Sequence, residues 1–140
     1  MKQSFDKAIN FVLTHEGGYS NDSLDLGGET NLGISKRAYP NLDIKNLTVD
    51  DAKAIYKRDY WNALNCDLLP EKLDIVVFDC GVNQGIGKAT ELLNRCNKDW
   101  KNLLFLRIQH YNNLVGRNPK QIKFLRGWIN RILELWNDIR

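Results

Sequence analysis

Apolar residues recur at three- and four-residue steps through most of this chain, which predicts helices. Phe5, Ile9, Val12 and Leu13 share one face of a helix expected over 4–15, with Ser4 placed to cap it. Three turns beyond Phe5 the same stripe reaches Glu16. A second helix is predicted from Val49 to about Leu64. Thr48 caps it, Asp50 and Asp51 favour its first turn, and Ala52, Ile55, Tyr56 and Tyr60 face inward. Residues 73–83, LDIVVFDCGVN, are nearly continuous in apolar character and read as a buried central helix in preference to a buried strand. Asp79 and Asn83 then stand one turn apart on one face, where polar groups must be hydrogen-bonded or functional. Gly85 and Gly87 break the chain before a helix at 88–96. Two more are expected, from Trp100 to about Val115 behind Asp99 and from Lys120 to about Ile139 after Pro119. On the last, Ile122, Leu125, Ile129, Leu133 and Trp136 are expected to face inward, and Lys123, Arg126 and Arg131 outward.

Residues 17–40 break this pattern. Gly17, Gly18, Asn21, Gly27 and Gly28 occupy turn positions, and short extended pieces around Tyr19 and Leu32–Ile34 predict a small hairpin or irregular β-lobe. The expected architecture is mainly α (α+β): a β-hairpin lobe over about 17–40 and a helical body over about 48–140, forming a single domain over 1–140.

With 140 residues, 26% charged and 43% hydrophobic, the composition is that of an ordinary globule that buries its core without disulfides or metal. No apolar run is long enough to span a membrane, and the N-terminus does not read as a signal peptide. Synthesis in the cytoplasm is expected, with a separate export route for any target outside it. Cys66, Cys80 and Cys96 show neither a CxxC spacing nor a His cluster, so buried free thiols are expected, and no metal or cofactor. Residues 1–97 carry 11 basic and 14 acidic side chains, a net of −3, whereas residues 98–140 carry 9 and 3, a net of +6. The basic C-terminal helices favour an anionic partner, a wall polymer or membrane surface, or else are plain solvated faces. Nucleic acid is set aside, because a DNA-binding helical domain has no use for a Gly-rich acidic loop. A monomer is expected.

The candidate chemistry lies in Glu16 to Ser35. Glu16 stands where an amphipathic helix meets Gly17-Gly18, and Asp25 follows nine residues later. Two carboxylates on a rigid scaffold are what glycoside hydrolysis requires, one to protonate the leaving oxygen and one to act as nucleophile or activate water. A carboxylate continuing an apolar stripe is expected to be partly desolvated, the environment a general acid needs near neutral pH. A solvated turn is the equal alternative for these residues alone. Asp22, and less so Glu29, are reserves for Asp25.

The runs EGGYSNDSLDLGGETNLGISKRAYP, YKRDYWNALNCDLLP, FDCGVNQG and FLRGWINRI, in that order, resemble glycoside hydrolase family 108. Its members are N-acetylmuramidases of phage endolysins and bacterial secretion-activator proteins. The resemblance, from about Phe11 to Arg131, implies a lysozyme-like, mainly α fold with Glu16 of the EGGY motif as catalytic acid. The Glu, Asp, Thr order of phage-type lysozymes implies Asp25 and Thr30 as its companions, with Leu32–Ile34 as the strand that follows. Hydrolysis of the β-1,4 bond from N-acetylmuramic acid to N-acetylglucosamine in peptidoglycan is then expected. Glu16 protonates the glycosidic oxygen, Asp25 orients or deprotonates water, and Thr30 holds it. Carboxyls about 6.5–9.5 Å apart imply inversion, and about 5–5.5 Å a retaining nucleophile. Tyr19, Asn31, Tyr60, Trp61, Asn83 and Gln84 are candidate sugar contacts, with core packing an equal explanation of the aromatics. Two other classes stay open: a lytic transglycosylase using Glu16 alone, and a non-enzymatic wall-binding or secretion accessory. A phage endolysin released through a holin to the wall is the expected setting.

Overall fold

The computed structural model describes residues 2–22, 24 and 28–140. Among these, six α-helices, three short π or 3-10 segments and a small antiparallel sheet account for the regular structure. The helices are α1 (Lys2–His15), α2 (Val49–Tyr56), α3 (Leu73–Gln84), α4 (Ile86–Arg95), α5 (Trp100–Arg117) and α6 (Ile122–Ile139). The strands β1 (Ser20–Asn21), β2 (Glu29–Asn31) and β3 (Ile34–Ser35) lie side by side in chain order.

α3 is the central element, as its unbroken apolar character predicts. Residues 73–81 are all buried, and the helix packs against α1, α4 and α5. Thr48 caps α2 as expected, its hydroxyl accepting from the Asp51 amide at 3.1 Å while the Asp51 carboxylate accepts from the Thr48 amide at 3.2 Å. The expected single helix to Leu64 instead widens into a π-helical turn, Lys57–Trp61. Ser4 lies inside α1, which begins at Lys2, and so does not cap it as expected. α4 starts at Ile86 because Gly85 alone makes the break, at φ +93°, and α5 runs through Gly116 to Arg117.

Two corrections matter for the site. Of the expected strand Leu32–Ile34 only Ile34 is extended: Leu32 and Gly33, at φ +54° and +80°, form the two-residue turn joining β2 to β3. Positive φ at both positions is the geometry that suits tight hairpins. The uncommon conformation of Leu32 is secured at both ends. Its amide donates to the Gly17 carbonyl at 3.1 Å, and its carbonyl accepts from the Tyr56 hydroxyl at 2.9 Å. The second correction concerns α6. Ile122 and Leu133 are 63% and 52% exposed, while Arg131, Ile132, Leu135 and Ile139 are buried. Arg131, expected outside, faces inward because its guanidinium is neutralised there.

Trp61 is 0% exposed and packs edge-on against Phe5 and Phe78, with ring centroids 5.4 and 5.5 Å away. Its indole nitrogen donates to Asp67 at 3.0 Å. It is a core residue, with no exposed ring face to offer a sugar. Cys66, Cys80 and Cys96 are buried and unpaired. Among the described residues no helix is long and apolar enough to cross a membrane.

Candidate active site

Glu16 follows directly on α1, its amide still bonded to the Val12 carbonyl at 3.1 Å. Gly17 and Gly18 then carry the chain away, and the Gly17 carbonyl takes the Leu32 amide, which draws the β2–β3 turn over the helix end. The Glu16 side chain is 23% exposed, within reach of solvent and held on several sides. Gly33 lies against it so closely that any side chain there would meet the carboxylate arm. Tyr56 and Tyr60, with ring centroids 5.6 Å apart, border it from α2 and the π turn. Both hydroxyls are pushed above the ordinary tyrosine value, mainly by burial, and the Glu16 carboxylate adds to the effect at each.

The remaining side belongs to α6. Arg131 Nη1 lies 3.6 Å from Glu16 Oε1, an ion pair longer than a hydrogen bond. The same guanidinium is anchored behind by Asp79, to which Nη2 and Nε donate at 2.8 and 3.1 Å. Asp79 in turn takes Arg107 Nη2 at 2.9 Å. Burial disfavours an ionised Asp79, yet the two arginines outweigh it and hold the carboxyl below its usual range. Arg107 and Arg131 thus share the buried Asp79 carboxylate, with Glu16 on the outer side of Arg131. One turn further along α6, Glu134 hydrogen-bonds His15, and the end of α1 is thereby clamped to α6 through two successive residues.

The other sequence candidates divide. Tyr60 is at the site. Asn83, at the end of α3, accepts from Arg107 Nη2 at 3.4 Å and from the Tyr111 hydroxyl, and so connects to Arg131 through Arg107 and Asp79. Gln84 is turned inward, taking Arg107 Nε at 2.7 Å and the Cys80 thiol at 3.1 Å, with its amide nitrogen buried and unbonded. Asn31 is buried and donates to the Ile44 carbonyl at 3.0 Å, pinning a loop to the sheet. Tyr19 is exposed and donates to Glu29 across β1–β2 at 2.6 Å. Thr30 sits mid-sheet opposite Ser20 and Ser35, on the face away from Asn31. Asp22 accepts from the Leu24 amide at 2.9 Å in a local turn. Asp25 lies outside the described residues. Periodicity missed Gly33 and Arg131 as site residues, although a buried Asp79 required a cationic partner from some other helix. Among the described residues, no group of three or more His, Cys, Asp or Glu side chains could hold a metal.

A rigidly held, partly exposed carboxylate beside an anchored arginine suits proton transfer to a bound substrate. The family model of glycosyl hydrolase 108 matches residues 9–85, more than half of the chain. The chain belongs to glycosyl hydrolase family 108. Glu16, Gly33, Tyr56, Tyr60 and Asp79 fall within the matched stretch, whereas Arg107 and Arg131 lie beyond it. Among solved structures, Brucella abortus SagA is similar to this family 108 chain with a TM-score of 0.67 and 28% identity. The likeness covers 96% of this chain and 92% of SagA, so it reaches α5 and α6 as well. The mainly α, lysozyme-like architecture expected from the sequence is the one observed. Comparison with curated proteins returned no significant match. Membership of family 108 makes glycoside hydrolysis the chemistry to be explained.

Proposed function

We propose that this family 108 member is a peptidoglycan hydrolase, an N-acetylmuramidase with Glu16 as general acid. The observation that carries the reading is the setting of Glu16, a partly exposed carboxylate fixed between the Gly33 turn and the Arg131–Asp79 pair. Glu16 gives its proton to the bridging oxygen, which departs as the 4-hydroxyl of N-acetylglucosamine. Arg131, anchored by Asp79, stabilises the carboxylate that forms. Asp25 takes a proton from water, Thr30 helps to hold that water, and the resulting hydroxide adds to C1 of N-acetylmuramic acid. The bond broken is C1–O4, and the muramic unit becomes a reducing end. Action on the wall after release through a holin is the setting we favour.

Digestion of purified peptidoglycan by the wild type and by Glu16→Gln, with product ends identified by mass spectrometry, tests this. Reducing N-acetylmuramic acid ends from the wild type alone are expected. Anhydro-muramic ends would replace hydrolysis by lytic transglycosylation, and no products from either protein would leave a wall-binding module.

A further inference from the structure

The face of α6 that carries Arg131 continues beyond Glu16. Phe124 and Trp128 precede Arg131 by seven and three residues, so the three side chains share one face. In the C-terminal half of the helix that face is buried through Leu135 and Ile139, but in the N-terminal half it emerges, leaving Phe124 46% exposed. Three rings are layered there from the core outward. Buried Tyr111 stacks on Trp128 with centroids 4.9 Å apart and planes 17° from parallel, and Trp128 meets Phe124 at 5.9 Å. The Tyr111 hydroxyl and Arg107 both donate to Asn83 Oδ1, which fixes the orientation of that amide. Asn83 Nδ2 has no hydrogen-bond partner among the described residues. The same chain of contacts returns through Arg107, Asp79 and Arg131 to Glu16. Residues 100–133 contain no Asp or Glu, and Arg117, Lys120, Lys123 and Arg126 lie close in sequence to the outer rings. Lys123 Nζ stands 5.1 Å from the centre of Phe124.

We propose that Trp128 and Phe124 form a glycan subsite that continues from Glu16 along α6, with the Asn83 amide donating to an acetamido or hydroxyl oxygen. A pyranose has one apolar C–H face and a polar rim, and a stiffly backed aromatic surface beside an oriented donor complements both. The helix rise places Trp128 about 5 Å and Phe124 about 10 Å along the axis from Arg131, the span of neighbouring sugars in a strand. The cations suit the carboxylates of peptide stems on that strand. This subsite rests on the peptidoglycan-hydrolase reading and names where the strand lies.

The test uses the full chain carrying Glu16→Gln, titrated with solubilised N-acetylated glycan strands that bear peptide stems and followed by calorimetry. Adding Phe124→Ala or Trp128→Ala is expected to weaken binding about tenfold each, as truncation of a stacked aromatic anchor does. In the active enzyme Phe124→Ala raises KM by a similar factor, with the smaller part of the loss in kcat. Phe124 is exposed, so its variant keeps the test valid if Trp128→Ala fails to fold. An unchanged dissociation constant for a folded Phe124→Ala overturns the subsite even where the wild type cleaves peptidoglycan. Binding that depends on Phe124 in a protein yielding no products sustains it while the hydrolase reading fails. Self-association abolished by Phe124→Ala, with glycan affinity intact, overturns it in favour of a protein contact.

Discussion

Gly33 lies against Glu16: a Cβ at residue 33 would stand 2.9 Å from both Cγ and Cδ of the carboxylate arm and would overlap Tyr56 Oη. Its φ of +80° is a second, independent demand for glycine. Gly33→Ala should therefore cost roughly 1–3 kcal/mol in stability. It should also displace Glu16, and a misplacement on the order of 1 Å lowers turnover about 100-fold. Thermal melting and kcat measured on one preparation check both. A variant with wild-type kcat would mean that the turn does not set the position of Glu16.

Arg131 serves two carboxylates from one fork, with Nε and Nη2 on Asp79 and Nη1 towards Glu16. Lysine keeps the charge but not the fork. Arg131→Lys should lower kcat about tenfold or more while KM changes little, the pattern of an interaction that matters in the transition state. A rise in KM alone would assign Arg131 to substrate binding.

Asp79 is buried between two arginines, and its loss strands both. Asp79→Asn should cost about 3–5 kcal/mol, the usual effect of removing one partner from a buried ion pair. The pH dependence has a definite sign. Because the folded carboxyl titrates below its ordinary value, its contribution is complete above about pH 3.9, the value for an unfolded chain. It is lost as pH falls below that point towards the folded value. Urea unfolding between pH 2 and 7 should show an acid limb in the wild type that is shallower in Asp79→Asn. Parallel curves would remove Asp79 from the acid sensitivity of the fold.

The three thiols should be silent in the native protein. Burial pushes Cys66 up to about 12 and Cys80 up to about 11, and Cys96 is buried as well. A chromogenic aromatic disulfide at pH 8 should label none of them before denaturation and all three after it. Rapid labelling of one thiol without denaturant would reveal local opening around that residue.

Helix periodicity locates α1, α2, α4, α5 and α6, each with an apolar face that its neighbours cover, while unbroken apolar character locates α3. Periodicity misassigns the face of α6 because its apolar residues form a broad arc whose buried part adjoins Arg131 and leaves Ile122 and Leu133 at the opposite, exposed margin. Counting Ile122 and Leu133 as inward and Arg131 as outward follows the usual preference of charges for water. That preference fails where Asp79 already waits in the core. The pairing is long-range, between residues 79 and 131, and nothing local to either one encodes it. The Leu32–Gly33 turn is hidden for a different reason. Leucine rarely adopts positive φ, and only the Gly17 and Tyr56 contacts, remote in sequence, hold it there. Glu16 was legible as a candidate from its place between an amphipathic stripe and a Gly-Gly break. Trp61 could not be told from a cleft aromatic until the π turn fixed its direction.

Glu16 lies near one end of a very long loop: the His15–Glu134 contact beside it joins residues 119 apart in sequence, and Arg131 comes from the same distant helix. Contacts this distant in sequence form late, after the loop-closure cost of the intervening chain has been met. A nascent or truncated chain thus carries the acid without its anchor. Docking of α6 is expected to act as an assembly checkpoint, since an intermediate that has not reached it lacks the fixed acid.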